Sequence, residues 1–249
     1  MQIEVLKQEK DRLFFILKGI NSVIANTIRR SAINEVPTLA VEKVTFKKNS
    51  SALYDEMLAN RIGLIPIKTD AKDDFNPEKP VEITLKLKAE GPSIAVSSQM
   101  ESSDPKCVPA IPDMPIVKLL KDQELEFEAT ATLGQGKDHA KFCPGLIYFK
   151  AVPTLKVSKD SKAKSVAEAF PDVLALKGQG LEIKDLVAWN EAIESACEKN
   201  DITIENSDTD FMFCVESWGQ LTPKEIMLKS VEMIDLKLDE LEKGLKKVK

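Results

Sequence analysis

The stretch "TPKEIMLKSVEMIDLKLDELEKGLKKV" (222–248) predicts one long amphipathic helix near the end of the 249-residue chain. Thr222 and Glu225 fit a capping box, and Pro223 suits the first helical turn. Apolar residues then recur with alternating spacings of four and three, a set that we name the seam: Met227, Val231, Ile234, Leu238, Leu241, Leu245 and Val248. A narrow stripe of this kind packs either on a second helix or on the sheet of its own domain, and the periodicity alone leaves both possibilities open.

The composition predicts a cytosolic protein with a sizeable core. Hydrophobic residues make up 43% of the chain, charged residues 30%, and the formal net charge is -5. This balance argues against a free-standing nucleic-acid binder, which needs a clustered positive field. The amino-terminal residues do not resemble a signal peptide, and the short apolar runs predict no membrane span. The four cysteines contain no CxxC pair, which is typical of reduced thiols in the cytoplasm.

The rest of the chain predicts a succession of strands and helices. Strands are expected at 2–8, 12–18, 38–46, 81–89, 124–133, 146–157 and 210–219, with Pro153 breaking the sixth and a change of phase near Glu42 in the third. Helices are expected at 21–36, with Ile20, Ile24, Ile28 and Ala32 as a single apolar stripe, at 51–63 before a short strand at 64–67, and at 183–199. The proline-rich segment 102–115 is expected to be an extended connection.

The stretch "LGQGKDHAKFCPG" (133–145) combines three glycines with the single histidine of the chain. It is not a Walker A phosphate loop, because Ala131 and Asp138 occupy the positions that require Gly and Ser or Thr. His139 and Cys143 are too few ligands for a structural zinc site, and as a base and nucleophile they have no third group to orient them. The remaining interpretation is a glycine-permitted turn that displays a His-Ala-Lys tip (139–141) as a recognition surface.

Four longer stretches resemble a known family. They are "ANTIRRSAINEVPTLAVEKVTF" (25–46), "LYDEMLANRIGLIPIKTD" (53–70), "LGQGKDHAKFCPGLIYFKAVP" (133–153) and "DTDFMFCVESWGQLTPKEIM" (208–227). In order and spacing they are similar to the D subunit of archaeal DNA-directed RNA polymerase. That family is the counterpart of the eukaryotic third-largest subunit and of the bacterial alpha amino-terminal domain, and the resemblance covers nearly the whole chain.

The resemblance implies an α+β fold with a discontinuous domain organisation. Residues 1–47 and 205–249 would form an alpha-like dimerisation domain from both ends of the chain. Residues 48–157 would form an inserted, β-rich domain of mixed structure. Residues 158–204 would be a small remnant of a third domain.

The resemblance also implies an assembly role without catalysis. The protein would pair with the smaller alpha-like subunit L, and the heterodimer would recruit subunits N, P and B, of which the last is the large catalytic one. No small-molecule substrate, membrane or sequence-specific DNA contact is expected. Two alternatives stay open from the residues alone: an enzyme using Cys143 and His139, and a DNA-contacting subunit using the lysine-rich "KVSKDSKAKS" (156–165).

Matching the family blocks residue by residue predicts the partner interface. It consists of Asn26, Arg29 and Arg30 on the first helix, Tyr54, Asp55, Glu56, Asn60 and Arg61 on the second, His139 and Lys141 in the loop, and the seam residues Met227, Val231, Ile234, Leu238, Leu241 and Leu245. We expect one of Arg29 and Arg30 to brace the domain and the other to reach a neighbouring subunit, whereas the alternative is two solvated arginines.

The family also implies cofactors that this chain lacks the residues to bind. Many relatives carry cysteines for iron–sulfur clusters in the third domain, but 158–204 contains only Cys197, and a cubane cluster needs four thiolates. Some eukaryotic relatives bind zinc in the loop that corresponds to 68–80, which here contains no cysteine. We therefore expect neither an iron–sulfur cluster nor zinc.

Overall fold

The computed structural model describes residues 1–70, 81–158, 162–178 and 180–247. Val248 of the seam, most of the loop 68–80 and part of the lysine-rich run therefore lie outside the described residues.

The strands are β1 (Gln2–Gln8), β2 (Arg12–Lys18), β3 (Pro37–Asn49), β4 (Glu82–Glu90), β5 (Ser93–Val96), β6 (Glu101–Ser102), β7 (Pro115–Leu119), β8 (Glu124–Gln135), β9 (Gly145–Val157), β10 (Leu174–Lys177), β11 (Gly180–Ile183) and β12 (Ile202–Ser217). The helices are α1 (Ser22–Asn34), α2 (Asp55–Gly63), α3 (Ala163–Ala169), α4 (Glu191–Glu198) and α5 (Pro223–Leu245).

Mixed helices and antiparallel sheets agree with the predicted α+β class. Backbone proximity divides the chain into two compact units, Met1–Thr27 with Tyr148–Cys214 and Ile28–Ile147 with Val215–Lys249. The division into dimerisation, inserted and remnant domains stays a prediction.

The first sheet has the strand order β1-β2-β12-β9. β1 and β2 form the predicted antiparallel hairpin, and the rings of Phe15 and Phe213 stack with their centroids 5.3 Å apart. β9 runs through Pro153 without a break. The predicted interruption is wrong, because a proline is tolerated on an edge strand, where its missing N–H need not be used in the ladder.

The second sheet, in the order β3-β8-β4-β6, carries the largest apolar core. Alternate residues of β4 and β8 point into this core, as the alternating sequence predicts. The predicted change of phase in β3 is a β-bulge between Val41 and Lys43, which leaves Glu42 unpaired. Leu58 and Ile62 of α2 are fully buried in the same core.

Two details around α2 correct the sequence prediction. The helix begins at Asp55 instead of residue 51, because the preceding loop is held by Asn49, whose amide donates to the Leu53 carbonyl and to the Asp55 carboxylate. After Gly63 the chain forms no strand at 64–67; only an isolated bridge joins Ile67 to Pro109. The proline-rich connection supplies that bridge, and β5 and β7, which flank it, pair with each other, a feature that the sequence did not indicate.

The region 158–204 has a small apolar core of its own. Trp189, Ile193 and Cys197 are buried there with residues of α3, β10 and β11. The helix predicted at 183–199 is confirmed only in its second half, as α4. Asn190 sets its start, because the Asn190 side chain accepts hydrogen bonds from the N–H groups of Ala192 and Ile193.

Helix α1 lies within the predicted span, and the predicted stripe is buried in part: Ile20 and Ala32 are buried, Ile28 is half-buried and Ile24 is exposed. Asn21 caps it by accepting a hydrogen bond from the Ile24 N–H at 2.9 Å. Ala25 and Ala32 are fully buried, whereas the Ile24 side chain is 45% exposed. A four-residue spacing advances about 40° per step around a helix with 3.6 residues per turn, so the four positions do not share one face of the helix.

We predict that Gly145→Ala destabilises the chain by about 1–3 kcal/mol, because the added methyl must displace backbone. A Cβ atom at Gly145 would lie 2.1 Å from the Glu216 carbonyl oxygen in β12. The shift in the thermal unfolding midpoint measures the loss. Gly244→Ala is the matched control, since a Cβ at Gly244 meets nothing within 4 Å and alanine favours the helix. Equal midpoints for the wild type and Gly145→Ala would contradict this close packing of β9 on β12.

Candidate protein-interaction surfaces

Helix α5 begins with the capping box that its sequence predicts. The Glu225 N–H donates to the Thr222 hydroxyl at 3.3 Å, and the Glu225 carboxylate accepts from the Thr222 N–H at 2.8 Å. Pro223 occupies the first turn, where a missing N–H costs nothing. The helix therefore has a defined start, and its 23 residues span about 34 Å at 1.5 Å per residue.

The face of α5 that packs within the chain is not the seam. Ile226 and Ser230 are fully buried, and Met233 continues this face as a half-buried side chain. In the seam, Met227 and Ile234 are half-buried, while Val231, Leu238, Leu241 and Leu245 are between 47% and 63% exposed. Within the described residues the chain's own sheets do not cover this half of the seam, so packing on its own domain is excluded there.

Helix α5 crosses α1 at two small residues. Ser31 and Ser230 are both buried, and the Ser31 hydroxyl donates to the Ser230 carbonyl oxygen at 2.7 Å. Small side chains let two helix backbones approach closely, and this contact joins positions 199 residues apart in the sequence. The crossing therefore joins an early segment of the chain to a late one.

An ionic cluster lies beside this crossing. The Glu35 carboxylate is 2.7 Å from the Lys237 ammonium and 3.6 Å from that of Lys137. Burial tends to raise the pKa of Glu35, but the hydrogen bond and charge of Lys237, together with Lys137, hold the pKa below its ordinary value. Glu35 is therefore ionised at neutral pH, and it joins the end of α1 to α5 and to the loop after β8.

The predicted residues on α1 differ in exposure. Asn26 and Arg30 are exposed, and Arg29 is half-buried. Val23 is 70% exposed, and with Ile24 it forms an apolar face on the first turns that sequence reasoning missed. The signal was present, because Val23 is an apolar residue of this helix that lies outside the predicted stripe.

On α2, two predicted residues, Asp55 and Arg61, have intrachain tasks, and the Asp55 carboxylate accepts a hydrogen bond from the Asn49 amide at 2.7 Å. The Arg61 guanidinium donates to the carbonyl oxygens of Ile116 at 2.9 Å and Pro115 at 2.6 Å, which fastens α2 to β7. Glu56 and Asn60 are exposed. Tyr54 is 76% exposed at the start of the helix, and Met57, which is not among the predicted residues, is 51% exposed one turn later.

In the loop after β8, His139 is displayed and Lys141 is not. His139 is exposed and its Nδ1 accepts a hydrogen bond from the Lys141 N–H at 3.0 Å, capping a 3₁₀ turn at Ala140–Phe142. The Lys141 side chain is only 13% exposed, because its ammonium folds back onto the Val41 carbonyl oxygen and the Glu42 carboxylate at the β3 bulge. The expected display of this lysine is therefore wrong, although its part in an interface stays a prediction.

The glycines of this loop have packing tasks. A Cβ at Gly134 would lie 2.5 Å from the Phe142 ring, and a Cβ at Gly136 would lie 2.1 Å from the Ile33 carbonyl oxygen. The loop thus lies flat against β8 and the end of α1. Close approach, and not phosphate binding, accounts for these two glycines.

His139 and Cys143 do not form a catalytic pair. The His139 Nδ1 is occupied by the Lys141 N–H, and the Cys143 thiol donates to the Gly145 carbonyl oxygen at 3.2 Å. Nucleophilic catalysis needs the thiol and the imidazole to be hydrogen-bonded to each other. The arrangement therefore offers no activated nucleophile at this loop.

The region 158–204 does not fit an iron–sulfur cluster. Cys197 is its single cysteine, and that thiol is fully buried among apolar side chains. Burial, followed by the charges of Glu194 and Glu198, raises the pKa of Cys197 and so disfavours the thiolate that a metal requires. Among the described residues, no group of three His, Cys, Asp or Glu side chains is placed to hold a metal ion.

No helix in the described part of the chain combines the length and the apolar character needed to cross a membrane.

Comparison with known proteins identifies the family. The RNA polymerase Rpb3/RpoA insert domain family matches residues 44–148. The DNA-directed RNA polymerase subunit Rpo3 of Pyrococcus furiosus is 34% identical over 100% of the chain and 98% of its own length, and that of Methanosarcina acetivorans is 33% identical over 97% of both. Rpo3 of Pyrococcus horikoshii is 44% identical, although the match spans only 64% of the chain and 62% of that relative. Because about one third of the residues are identical over nearly the full length of both this chain and its relatives, the chain belongs to the Rpo3 family of archaeal DNA-directed RNA polymerase subunits, the equivalent of the D subunit.

Proposed function

We propose that the chain is a non-catalytic assembly subunit of an archaeal DNA-directed RNA polymerase. It pairs with subunit L through the seam of α5, and the heterodimer forms the platform that recruits subunits N, P and B. The proposal includes a cytoplasmic location, where such an enzyme acts. The observation that carries it is the exposure of Leu238, Leu241 and Leu245 on a helix whose first half is already packed within the chain through Ile226 and Ser230.

The geometry of the seam favours a helix as the covering element. Residues spaced alternately by three and four form a straight stripe, and a second helix can insert its side chains between them. Large contiguous apolar patches on a protein surface mark interaction sites. Obligate interfaces of this kind bury about 2,000 Å² or more, so the protein would be stable chiefly as the heterodimer.

The exposed residues of α1 and α2 provide further candidate contacts. Val23 and Ile24 extend the apolar surface available on α1, and Tyr54 and Met57 do so on α2. On α1 we assign the bracing task to the half-buried Arg29 and the intersubunit task to the exposed Arg30. Partner contacts at Tyr54, Asp55, Glu56, Asn60 and His139 are part of the same proposal.

The alternative functions find less support. Direct DNA binding would need free cations along 156–165, but Lys156 is 2.6 Å from Glu205 and Lys164 is 4.0 Å from Glu168. An enzyme at the 133–145 loop would need the Cys143–His139 contact that the loop geometry does not make. We also propose that the chain carries neither an iron–sulfur cluster nor zinc, on the basis of its donor set.

We predict that Leu238→Asp weakens pairing with subunit L by roughly a hundredfold or more, because the interface would bury an unpaired charge. Pairing is measured as a dissociation constant for the full-length chain and subunit L. Leu238 is preferable to Ile234, since Ile234 is half-buried within the chain itself.

Leu236→Asp is the matched control for that experiment. Leu236 is 52% exposed and Leu238 57% exposed, but two residues turn the helix by about 200°, so Leu236 faces away from the seam. Its substitution should leave the dissociation constant nearly unchanged. Equal affinities for Leu238→Asp and the wild type would refute the role of the seam.

We predict that Cys143→Ala leaves the elongation rate of reconstituted polymerase within about twofold of the wild type, because the thiol lacks the hydrogen-bonded base that catalysis requires. Cys143→Ser, which keeps a donor for the Gly145 carbonyl, controls for local structure. Loss of elongation by both variants in a fully assembled complex would support the enzymatic alternative.

We predict that the purified chain–L heterodimer contains far less than one atom of iron or zinc per chain by elemental analysis. Its unfolding midpoint should not change when a chelator is added, because a structural metal would contribute folding free energy. Stoichiometric iron or zinc that survives gel filtration would overturn the proposed absence of cofactors.

A further inference from the structure

Helix α5 makes two polar contacts with α1 and the residue that follows it, in addition to the burial of Ile226 and a hydrogen bond from the Gln135 amide to the Met233 sulfur at 3.9 Å. The first is the Ser31–Ser230 hydrogen bond at the helix crossing. The second is the ion pair of Lys237 with Glu35 at 2.7 Å. Lys237 follows Ser230 by seven residues, or about 10 Å along the helix axis. The packing at Ile226, Ser230 and Met233 places the inner half of α5, and the Lys237 contact lies further along, where the outer half begins.

Glu35 is held in place independently of Lys237. Its backbone carbonyl accepts a hydrogen bond from the Gln135 side-chain amide at 2.7 Å, and the Lys137 N–H donates to the Asn34 carbonyl at 3.0 Å. Lys137 also lies 3.6 Å from the Glu35 carboxylate, whose side chain is only 16% exposed. Most surface ion pairs join two mobile side chains and contribute little to stability, because both side chains lose conformational freedom. In this pair the Glu35 carboxylate is already ordered before Lys237 binds it.

No other described contact orients the outer half of α5. Every described residue after Ile234, from 235 to 247, is exposed. This half carries Leu238, Leu241 and Leu245 of the seam, so the position of the proposed partner surface depends on how α5 is held at its base. The Glu35–Lys237 pair is the last intrachain contact before that surface.

We propose that Glu35 is a positioning residue for subunit pairing, which holds the outer half of α5 through Lys237 in the direction that the partner helix requires. The inference rests on the proposed function, because it assigns a task within the same interface. Glu35 need not touch the partner. It acts on the fraction of free chains whose seam is already in the binding orientation, and the apparent affinity scales with that fraction.

The first test is a double-mutant cycle on the full-length chain, with binding to subunit L measured as a dissociation constant. Glu35→Gln keeps the side-chain volume and removes the charge, and we expect roughly three- to tenfold weaker binding. Lys237→Gln should weaken binding by a similar factor, and the double variant should be no weaker than either single variant. Glu124→Gln is the control, since it removes an exposed ion pair with Lys48 at the far end of β8.

The second test does not need the partner. Spin labels at Lys243→Cys on α5 and Thr45→Cys on β3, in a Cys143→Ser background whose other three cysteines are buried, report the direction of α5 in the free chain. Glu35→Gln should broaden the label-to-label distance distribution, and Glu124→Gln should not. Should Glu35→Gln fail to fold, Lys237→Gln replaces it, because the Lys237 side chain is 58% exposed and its loss leaves no buried charge on α5.

The outcomes separate this inference from the proposed function. Non-additive loss of affinity and a broadened distribution support it. Unchanged affinity, strictly additive effects or an unchanged distribution overturn it. If the wild-type chain does not bind subunit L at all, the proposed function fails, while the distance distributions still decide whether Glu35 orients α5.

Discussion

The close crossing of α1 and α5 is the contact on which the rest of the structure depends. It needs two small buried residues, Ser31 and Ser230, so that one hydroxyl can reach the opposite backbone carbonyl. Because the contact uses one face of α5, the face that carries Leu238 and Leu241 is left over. The helix therefore has two faces with different tasks: one completes the fold of its own chain, and the other is left exposed. A sequence whose helix had a single apolar face could not do both.

The loop after β8 shows how a dense cluster of unusual residues can be entirely structural. Gly134 and Gly136 allow the Phe142 ring and the Ile33 carbonyl to approach the backbone. Lys141 neutralises Glu42 at the bulge in β3, where an unpaired residue turns its side chain towards the loop. The glycines, the lysine and the aromatic ring thus fasten one loop to two strands and a helix end. In the predicted His-Ala-Lys tip (139–141), the His139 ring faces solvent, whereas the Lys141 side chain does not.

Features that local residues specify, such as helix ends and bulges, could be predicted from the sequence. The positions of side chains that depend on contacts with residues far away in the sequence could not. The capping box at Thr222, the end of α2 at Gly63 and the bulge at Glu42 were predictable because local residues specify them. The buried face of α1 was predicted only in part, because apolar residues spaced by four do not show which of them a neighbouring element covers: Ile20 and Ala32 are buried, but Ile24 is exposed. The inward fold of Lys141 was equally invisible, because its partner lies 99 residues earlier in the chain. The family blocks predicted a set of interface residues, but not which of them are already engaged within the chain.

The distance in sequence between the two crossing helices has a consequence for biosynthesis. The hydrogen bond between Ser31 and Ser230 cannot form until Ser230 has been synthesised, 199 residues later. At the usual rates of translation this interval lasts about 10–40 s. During that time α1 has been synthesised, yet the helix that covers its inner surface has not left the ribosome. The intervening β-sheet can form first, because its strand order β3-β8-β4-β6 includes no strand from the carboxyl end of the chain. The nascent chain therefore passes through a long-lived stage with an uncovered amino-terminal helix, the stage at which a chaperone would have most to protect.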